Sequence, residues 1–373
     1  MSKRYQSLFQ KWDLYIPFME LGAFHYLAPK GCFAMIVPYP VTNQLYAREL
    51  RRMFTECTFL TEVVDLKGTK VFENATVTNC IVFSQNTAPG GKTIISHIDE
   101  YLQIRHSYVL ETRALEQDPE RRIWNLTQDE RTAMPHADLP QLGDLCYISV
   151  GMVLNSNENS AKGEFKKDDL ISLQKDTLHP RRYIEAKDIA RYQIKRVRYL
   201  EYGTERCPGQ LRRPTFPQLY DREKILVNSM GEIAAYYDNG DFFLHNHSLI
   251  CLIPWWELKG VDNKSIAGTI SKYCSRSRSE MEELSQQISL SYLLGLMNSK
   301  YMMYLLTLLR SGASNIYPDF LRKLPIPIAN KDLQESIGKL AMEVMNKKRE
   351  SAEQDTTALE NEIESLVRSI YGV

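Results

Sequence analysis

The sequence has no net charge: 46 Lys and Arg balance 46 Asp and Glu over 373 residues. That excludes a global field for collecting polyanions, so any nucleic-acid surface has to be a local patch. No Cys-x-x-Cys pair occurs, and the seven cysteines are scattered. This usage argues against a disulfide framework or a zinc site and fits reduced thiols in a cytoplasmic compartment. Nor is there an uncharged apolar run of membrane length. Lys3, Arg4, Lys11, Asp13 and Glu20 break up the N-terminal segment, so it reads as no targeting signal. Residues 288–309 are interrupted by Asn298, Ser299 and Lys300, which predicts a buried helix or two joined helices and no membrane contact. A phosphate loop is missing too. Residues 90–93 read GGKT, but Asn86 stands where that pattern needs glycine, so a hairpin turn is the better reading.

What is present is globular in composition, 43% apolar and 25% charged, and long enough for two or three domains. Its organising stretch is residues 12–84. Three short runs rich in Val, Ile and Phe (residues 32–37, 62–66 and 79–84) are bounded by Pro, Gly or Asn and predict buried strands. Between the first two, Leu45, Leu50, Met53 and Phe54 recur at helical spacing among Arg48, Glu49, Arg51 and Arg52. Ahead of them Leu14, Phe18, Leu21, Phe24 and Leu27 form another apolar stripe. Helix, strand, helix, strand, strand is the tail of a doubly wound α/β sheet.

The segment DLYIPFMELGAFHYLAPKGCFAMIVP, followed by VVDLKGTKVFENATVTNCIVF, resembles the second half of the catalytic domain of adenine-specific DNA methyltransferases. The similarity is to the TaqI-like and Eco57I-like restriction–modification group. It implies methyl transfer from S-adenosylmethionine to an adenine amine, with the base extruded from duplex DNA. In that group a glycine-rich donor loop and an Asn-Pro-Pro-Tyr turn come earlier in the chain. Here no Gly-x-Gly and no adjacent prolines exist, so both are absent and no catalytic residue is assigned. Val37-Pro38-Tyr39-Pro40 is a superficial echo of the turn, better read as strand termination. By resemblance, Phe72 is the ring that packs on the flipped adenine, with Asn74 and Thr76 lining the same loop; the alternative is a core Phe beneath a loop.

Residues 111–140 are charged and lack apolar periodicity, which reads as a connection. From residue 142, LGDLCYISVGMVLNSN resembles the start of the target-recognition domains of the same group. Alternation around residues 225–227, 233–237, 242–244 and 249–253 predicts antiparallel strands. A helix is expected over 293–309, then an extended LPIPI at 324–328, then two amphipathic helices between Asp332 and Tyr371, paired as a short coiled coil. Between Arg181 and Lys224 stand twelve Lys or Arg against six acidic residues, with Tyr183, Tyr192, Tyr199, Tyr202 and Phe216 interleaved. Such a patch suits phosphate neutralisation and stacking, although a charge run is also what a solvated face looks like. The expected DNA contacts are Arg181, Arg182, Lys187, Lys195, Arg196, Arg198, Arg212 and Arg213. Ser314 and Asn315 join them because a comparable turn approaches DNA in the family. His245 and His247 share a strand face without a third ligand, so no metal site is expected. Ser275–Arg278 reads as a helix cap.

The expected fold is α/β plus α+β: the C-terminal half of a Rossmann-like methyltransferase sheet, then a mixed recognition domain and C-terminal helices. The expected boundaries are 1–110 for the partial catalytic domain, 111–140 for the linker, 141–330 for target recognition and 331–373 for the helical pair. The expected function is site-specific adenine methylation of double-stranded DNA within a restriction–modification system. This chain would recognise the target, build part of the base pocket and be inactive alone. S-adenosylmethionine would bind on an N-terminal methyltransferase half or subunit. The alternative is a non-catalytic DNA-binding subunit resembling type I specificity proteins.

Overall fold

The computed structural model describes residues 5–67, 71–72, 78–99, 101–117, 120–126, 135–154, 167–205, 216–310 and 315–373. They form two compact units, one within Met1–Ala133 and the other within Met134–Arg310 and Ser314–Val373.

In the first unit α1 (Tyr15–Glu20), β1 (Cys32–Pro38), α2 (Arg48–Glu56), β2 (Phe59–Asp65) and β3 (Asn79–Gln85) follow in the expected order. After them come β4 (Lys92–Ile98), β5 (Ile104–Glu111), α3 (Thr112–Leu115), β6 (Glu116–Gln117) and β7 (Ile123–Trp124). The main sheet has the order β1-β3-β2-β4-β5. β1 and β2 are parallel to each other because β3 returns between them and pairs antiparallel with both. The helix α2 makes the crossover that two parallel strands require. β4 is parallel to β2 and antiparallel to β5. β3 and β4 are therefore not neighbours, so the GGKT segment is not a hairpin turn. It passes the start of β2, where a Cβ on Gly90 would overlap the Phe59 ring.

Strand alternation places Met35, Val82, Val63, Ile95 and Tyr108 in one row across the sheet. Ile16, Met19, Ala23, Leu50, Phe54 and Trp124 pack into the same core. The rotation of α1 differs from expectation: Leu14 and Phe18 are 62% and 57% exposed, while Ile16 and Met19 are buried. Buried Glu20 accepts the Gln6 and Ser7 N–H groups at 3.0 and 2.8 Å, and this inward anchor turns the short helix. The opposite sheet face is partly exposed. Ala34, Phe83, Glu62, Ile94 and Val109 form its central row, with Ile94 40% and Val109 59% exposed. A doubly wound sheet is covered on both faces; here the apolar cluster lies on one, and β1 ends the sheet as an edge strand.

The expected linker begins inside this core. Leu115, Trp124 and Leu126 are buried within it. The buried Arg51 side chain donates to the carbonyls of Val41, Arg121 and Arg122 at 2.6, 2.5 and 2.6 Å. Sequence periodicity misses the segment because single apolar residues, spaced among charges, hold it down.

The second unit begins with α4 (Leu142–Leu145), β8 (Cys146–Val150), β9 (Ile171–Ser172) and β10 (Arg181–Ile184). Next come β11 (Ile189–Ala190), β12 (Gln193–Ile194), β13 (Arg198–Leu200) and α5 (Gln218–Asp221). β14 (Lys224–Asn228), β15 (Ala235–Asp238) and β17 (Leu249–Pro254) pair antiparallel as expected, whereas β16 (Leu244–His245) pairs parallel with β10 in another sheet. One sheet is antiparallel, ordered β15-β14-β17-β8; the other is β16-β10-β13-β9, mixed, and β11 and β12 form a separate hairpin. β17 is buried at every position and paired on both sides, as its unbroken apolar run requires.

Helices α6 (Lys264–Tyr273), α7 (Arg278–Ser285), α8 (Leu290–Met297), α9 (Lys300–Arg310), α10 (Pro318–Arg322), α11 (Lys331–Glu350) and α12 (Thr357–Tyr371) complete it. Ser277 caps α7 in a capping box with Glu280. The run 288–309 is two helices, and Asn298 at the break bonds both the N–H and the carbonyl of Ala235 at 2.9 and 3.0 Å. Among the described residues no helix is long and apolar enough to cross a membrane. The helices α11 and α12 pack on each other, but α11 also lies against α8, so the pair is part of this unit. The buried stripe of α11 is Gln334, Ile337, Gly338, Ala341, Val344 and Met345, whereas apolar spacing alone predicts Leu333, Ile337, Leu340, Met342 and Met345. Close approach is the reason: a Cβ on Gly295 of α8 would stand 2.5 Å from Ile337 Cγ2.

Candidate nucleic-acid interface

In open α/β sheets, binding sites form beyond the C-terminal ends of the parallel strands. β1 ends at Pro38, and the next residues wind into a tight turn (Tyr39–Thr42) that buries the Tyr39 side chain. The Lys67 ammonium lies 5.1 Å from the Tyr39 ring centroid. The Pro-Tyr-Pro echo is thus a strand terminator. β2 ends at buried Asp65, whose Oδ1 accepts the Lys67 N–H at 2.8 Å while Oδ2 lies 3.5 Å from His97 Nδ1. Burial raises the Asp65 carboxyl above its ordinary range, against the Lys67 N–H and the nearby Lys67 and His97 charges. Burial likewise lowers His97, whose ring stacks on His106 at 4.4 Å. Phe72 is 47% exposed and not a core ring. Asn74 and Thr76 lie outside the described residues.

The basic patch of the second unit divides into surface and interior. Arg181 pairs with Asp221 at 2.7 Å, Arg182 with Asp241, Lys187 with Glu185 at 3.2 Å and Arg196 with Asp188 at 3.1 Å; these cations remain partly or largely exposed. Lys195 is exposed at the end of the β11–β12 hairpin. Arg198 departs from expectation. It is buried between Asp188 and Glu185, 3.0 Å from the latter, and joins strand to turn inside the fold. Burial alone would push Glu185 up. Hydrogen bonds from Lys167, Arg198 and Tyr183 outweigh it and hold the carboxyl at about 2. Lys224 is likewise interior, 2.6 Å from buried Asp238. The aromatic interleaving is mostly core as well, since Tyr183, Tyr192 and Phe216 are buried.

Arg212, Arg213 and Ser314 lie outside the described residues. Asn315 bridges to Met230, and its Nδ2 donates to the Tyr317 hydroxyl at 3.2 Å. His245 is fully buried, and burial with the nearby Lys224 charge lowers it to about 3. No group of three or more potential metal ligands gathers among the described residues. One juxtaposition escaped the sequence reading: Lys348 and Arg349, in the last turn of α11, come beside the Tyr192–Lys195 turn. Three consecutive cations after an amphipathic stripe were the only signal.

Among the described residues nothing forms a glycine-rich donor loop for S-adenosylmethionine. The chain has no Gly-x-Gly, and Gly22 faces the Phe33 ring, Gly31 the Leu27 side chain and Gly90 the Phe59 ring. No backbone cradle is left at these positions for a donor.

The similarity to known proteins is concentrated in the N-terminal segment. Residues 1–72 match the family model of the Eco57I restriction-modification methylase. The resemblance to that group is shown. A stretch of 93 residues is 27% identical to the type II methyltransferase M.BstVI of Geobacillus stearothermophilus, spanning 25% of this chain and 16% of the methyltransferase. The fold is similar to that in a cryo-EM structure of a DrdV–DNA complex, with a TM-score of 0.50 and 12% identity over 91% of this chain and 40% of that one. The type IIL restriction-modification enzyme MmeI, in complex with DNA, matches at a TM-score of 0.47 and 9% identity, covering 91% of this chain and 47% of that one. The chain therefore spans well under two thirds of the proteins it resembles.

Proposed function

We propose that this chain is the target-recognising and base-holding portion of a TaqI-like or Eco57I-like adenine-specific methylase acting on double-stranded DNA. The observation that carries the reading is the half-covered sheet. The Eco57I-like segment supplies β1 and β2, parallel strands with β3 returning between them, yet among the described residues one sheet face is partly exposed, β1 is an edge strand and no Gly-x-Gly donor loop is present. An open edge and apolar face call for a covering partner. A methyltransferase half that carries the donor loop and the Asn-Pro-Pro-Tyr turn supplies what is missing, and S-adenosylmethionine binds there. Phe72, exposed beyond the end of β2, offers a ring on which an extruded adenine can stack. The surface cations of β10 and the β11–β12 hairpin neutralise phosphates, while Arg198 and Lys224 hold the recognition unit together.

The test is methyl transfer from labelled S-adenosylmethionine to genomic DNA by the purified chain, alongside a DNA-binding titration across salt. Binding that weakens steeply with salt, without transfer, is the expected result. Transfer by the chain alone would contradict the division of labour, and absence of any binding would remove the recognition role.

A further inference from the structure

The strongest unassigned feature is a cleft in the second unit, between the β11–β12 hairpin and the C-terminal end of α11. Its volume is about 250 Å³, and its lining includes Tyr192, Gln193, Lys195, Tyr236, Lys348 and Arg349. Among the described lining residues three are cations and none is a carboxylate. The cations come from segments far apart in sequence, so their meeting is a product of the fold.

Each is held differently. Lys195 is exposed on a turn anchored by its own N–H to the Asp188 carbonyl at 2.7 Å. Arg349 is steered by the Tyr236 hydroxyl, 3.1 Å from its Nη2, and lies 4.0 Å from Asp241. Lys348 bonds Glu360 at 2.9 Å, from outside the lining. Basic residues in a last turn complement the helix dipole, which accounts for Lys348 and Arg349 on their own. It does not account for Lys195, brought to the same cleft from the hairpin. The cleft is also smaller than the roughly 300–1,000 Å³ usual for small-molecule sites, which suits one backbone group and not a whole cofactor.

We propose that this cleft seats a phosphodiester of duplex DNA, with Lys195 and Arg349 as the paired cations. The proposal rests on the reading of the second unit as a DNA-recognition unit and extends its contact surface to the end of α11.

The experiment compares the full-length chain with Lys195→Glu and with Lys195→Ala/Arg349→Gln, using a fluorescent random-sequence duplex and anisotropy across a salt series. Thermal unfolding of each variant verifies that it folds, and Lys195→Glu alters an exposed side chain alone. Two lost contacts make the slope of log K against log salt shallower by about 1.8 and lower affinity at 0.1 M salt by more than roughly tenfold. A steep wild-type slope left unchanged in both variants overturns the cleft and leaves the recognition reading standing. No salt-dependent binding by the wild type overturns both. A second arm titrates inorganic phosphate and a nucleoside triphosphate. If the variants lose only these small ligands and keep duplex affinity, the cleft takes a free phosphate and the proposal fails.

Discussion

Replacing Arg51 by alanine tests how the segment after β5 belongs to the first unit. The guanidinium is buried, donates to three carbonyls, and ties α2 to residues 121 and 122 as well as to Val41. Burial pushes it down to about 9, so it stays charged at neutral pH. Alanine removes three charge-assisted hydrogen bonds and leaves three acceptors behind, each costing about 1–3 kcal/mol when kept from water. The Arg121 and Arg122 carbonyls sit nearer the surface and rehydrate in part, and the arginine's own desolvation cost is relieved, so a net loss of about 3–5 kcal/mol is expected. Two measurements read it: the urea midpoint by fluorescence, since Trp124 is buried in the same core, and trypsin cleavage after Arg121 or Arg122. When cleavage follows the opened population, a loss of 3 kcal/mol speeds it by roughly a hundredfold. Arg51→Lys, which keeps the charge but cannot reach three carbonyls at once, falls between. Unchanged midpoint and unchanged protection would refute the strap and return residues 111–126 to the role of a loose connection.

Three further outcomes follow from the second unit. His245, lowered from about 6.5 to about 3 by burial and Lys224, favours the folded state fully above pH 6.5 and loses that contribution as pH falls toward 3, up to about 4–5 kcal/mol. Denaturation midpoints across that window should decline less in His245→Asn than in the wild type, and parallel curves would contradict the assignment. Arg198→Ala removes the buried cation shared by Glu185 and Asp188, leaving them the more exposed Lys167, Lys187 and Arg196, and should cost about 3 kcal/mol, against under about 1 kcal/mol for exposed Arg196→Ala. Equal stabilities, with a DNA-binding loss confined to Arg198→Ala, would restore Arg198 to the interface. Gly295→Ala forces α8 away from Ile337 and should cost about 1–3 kcal/mol in thermal unfolding; a neutral result would mean the helices separate freely.

Much of the secondary structure was legible. The Val- and Ile-rich runs became β1, β2 and β3, the four predicted strands of the second unit are present, and Asn298-Ser299 divides the long apolar segment. Less of the site was legible. Phe72 was singled out and is exposed, but the basic run 181–224 reads uniformly in sequence although Arg198 and Lys224 are interior. Net charge in a window cannot distinguish a solvated cation from one paired with a buried carboxylate, because the carboxylate's burial is set by strands elsewhere.

The sequence by itself determined where β1 to β3, α2, β14, β17 and the C-terminal helices form, that no glycine-rich donor loop or Pro-Pro turn lies within these residues, and the resemblance to the Eco57I group. These are properties of composition and local spacing, and local spacing survives without a fold. Only the tertiary structure decided that β3 returns between β1 and β2, that Glu20 turns α1 so that Leu14 and Phe18 face out, and that Lys195 meets Arg349. Each depends on contacts between segments distant in the chain. Periodicity says that a face exists, and only packing says what covers it.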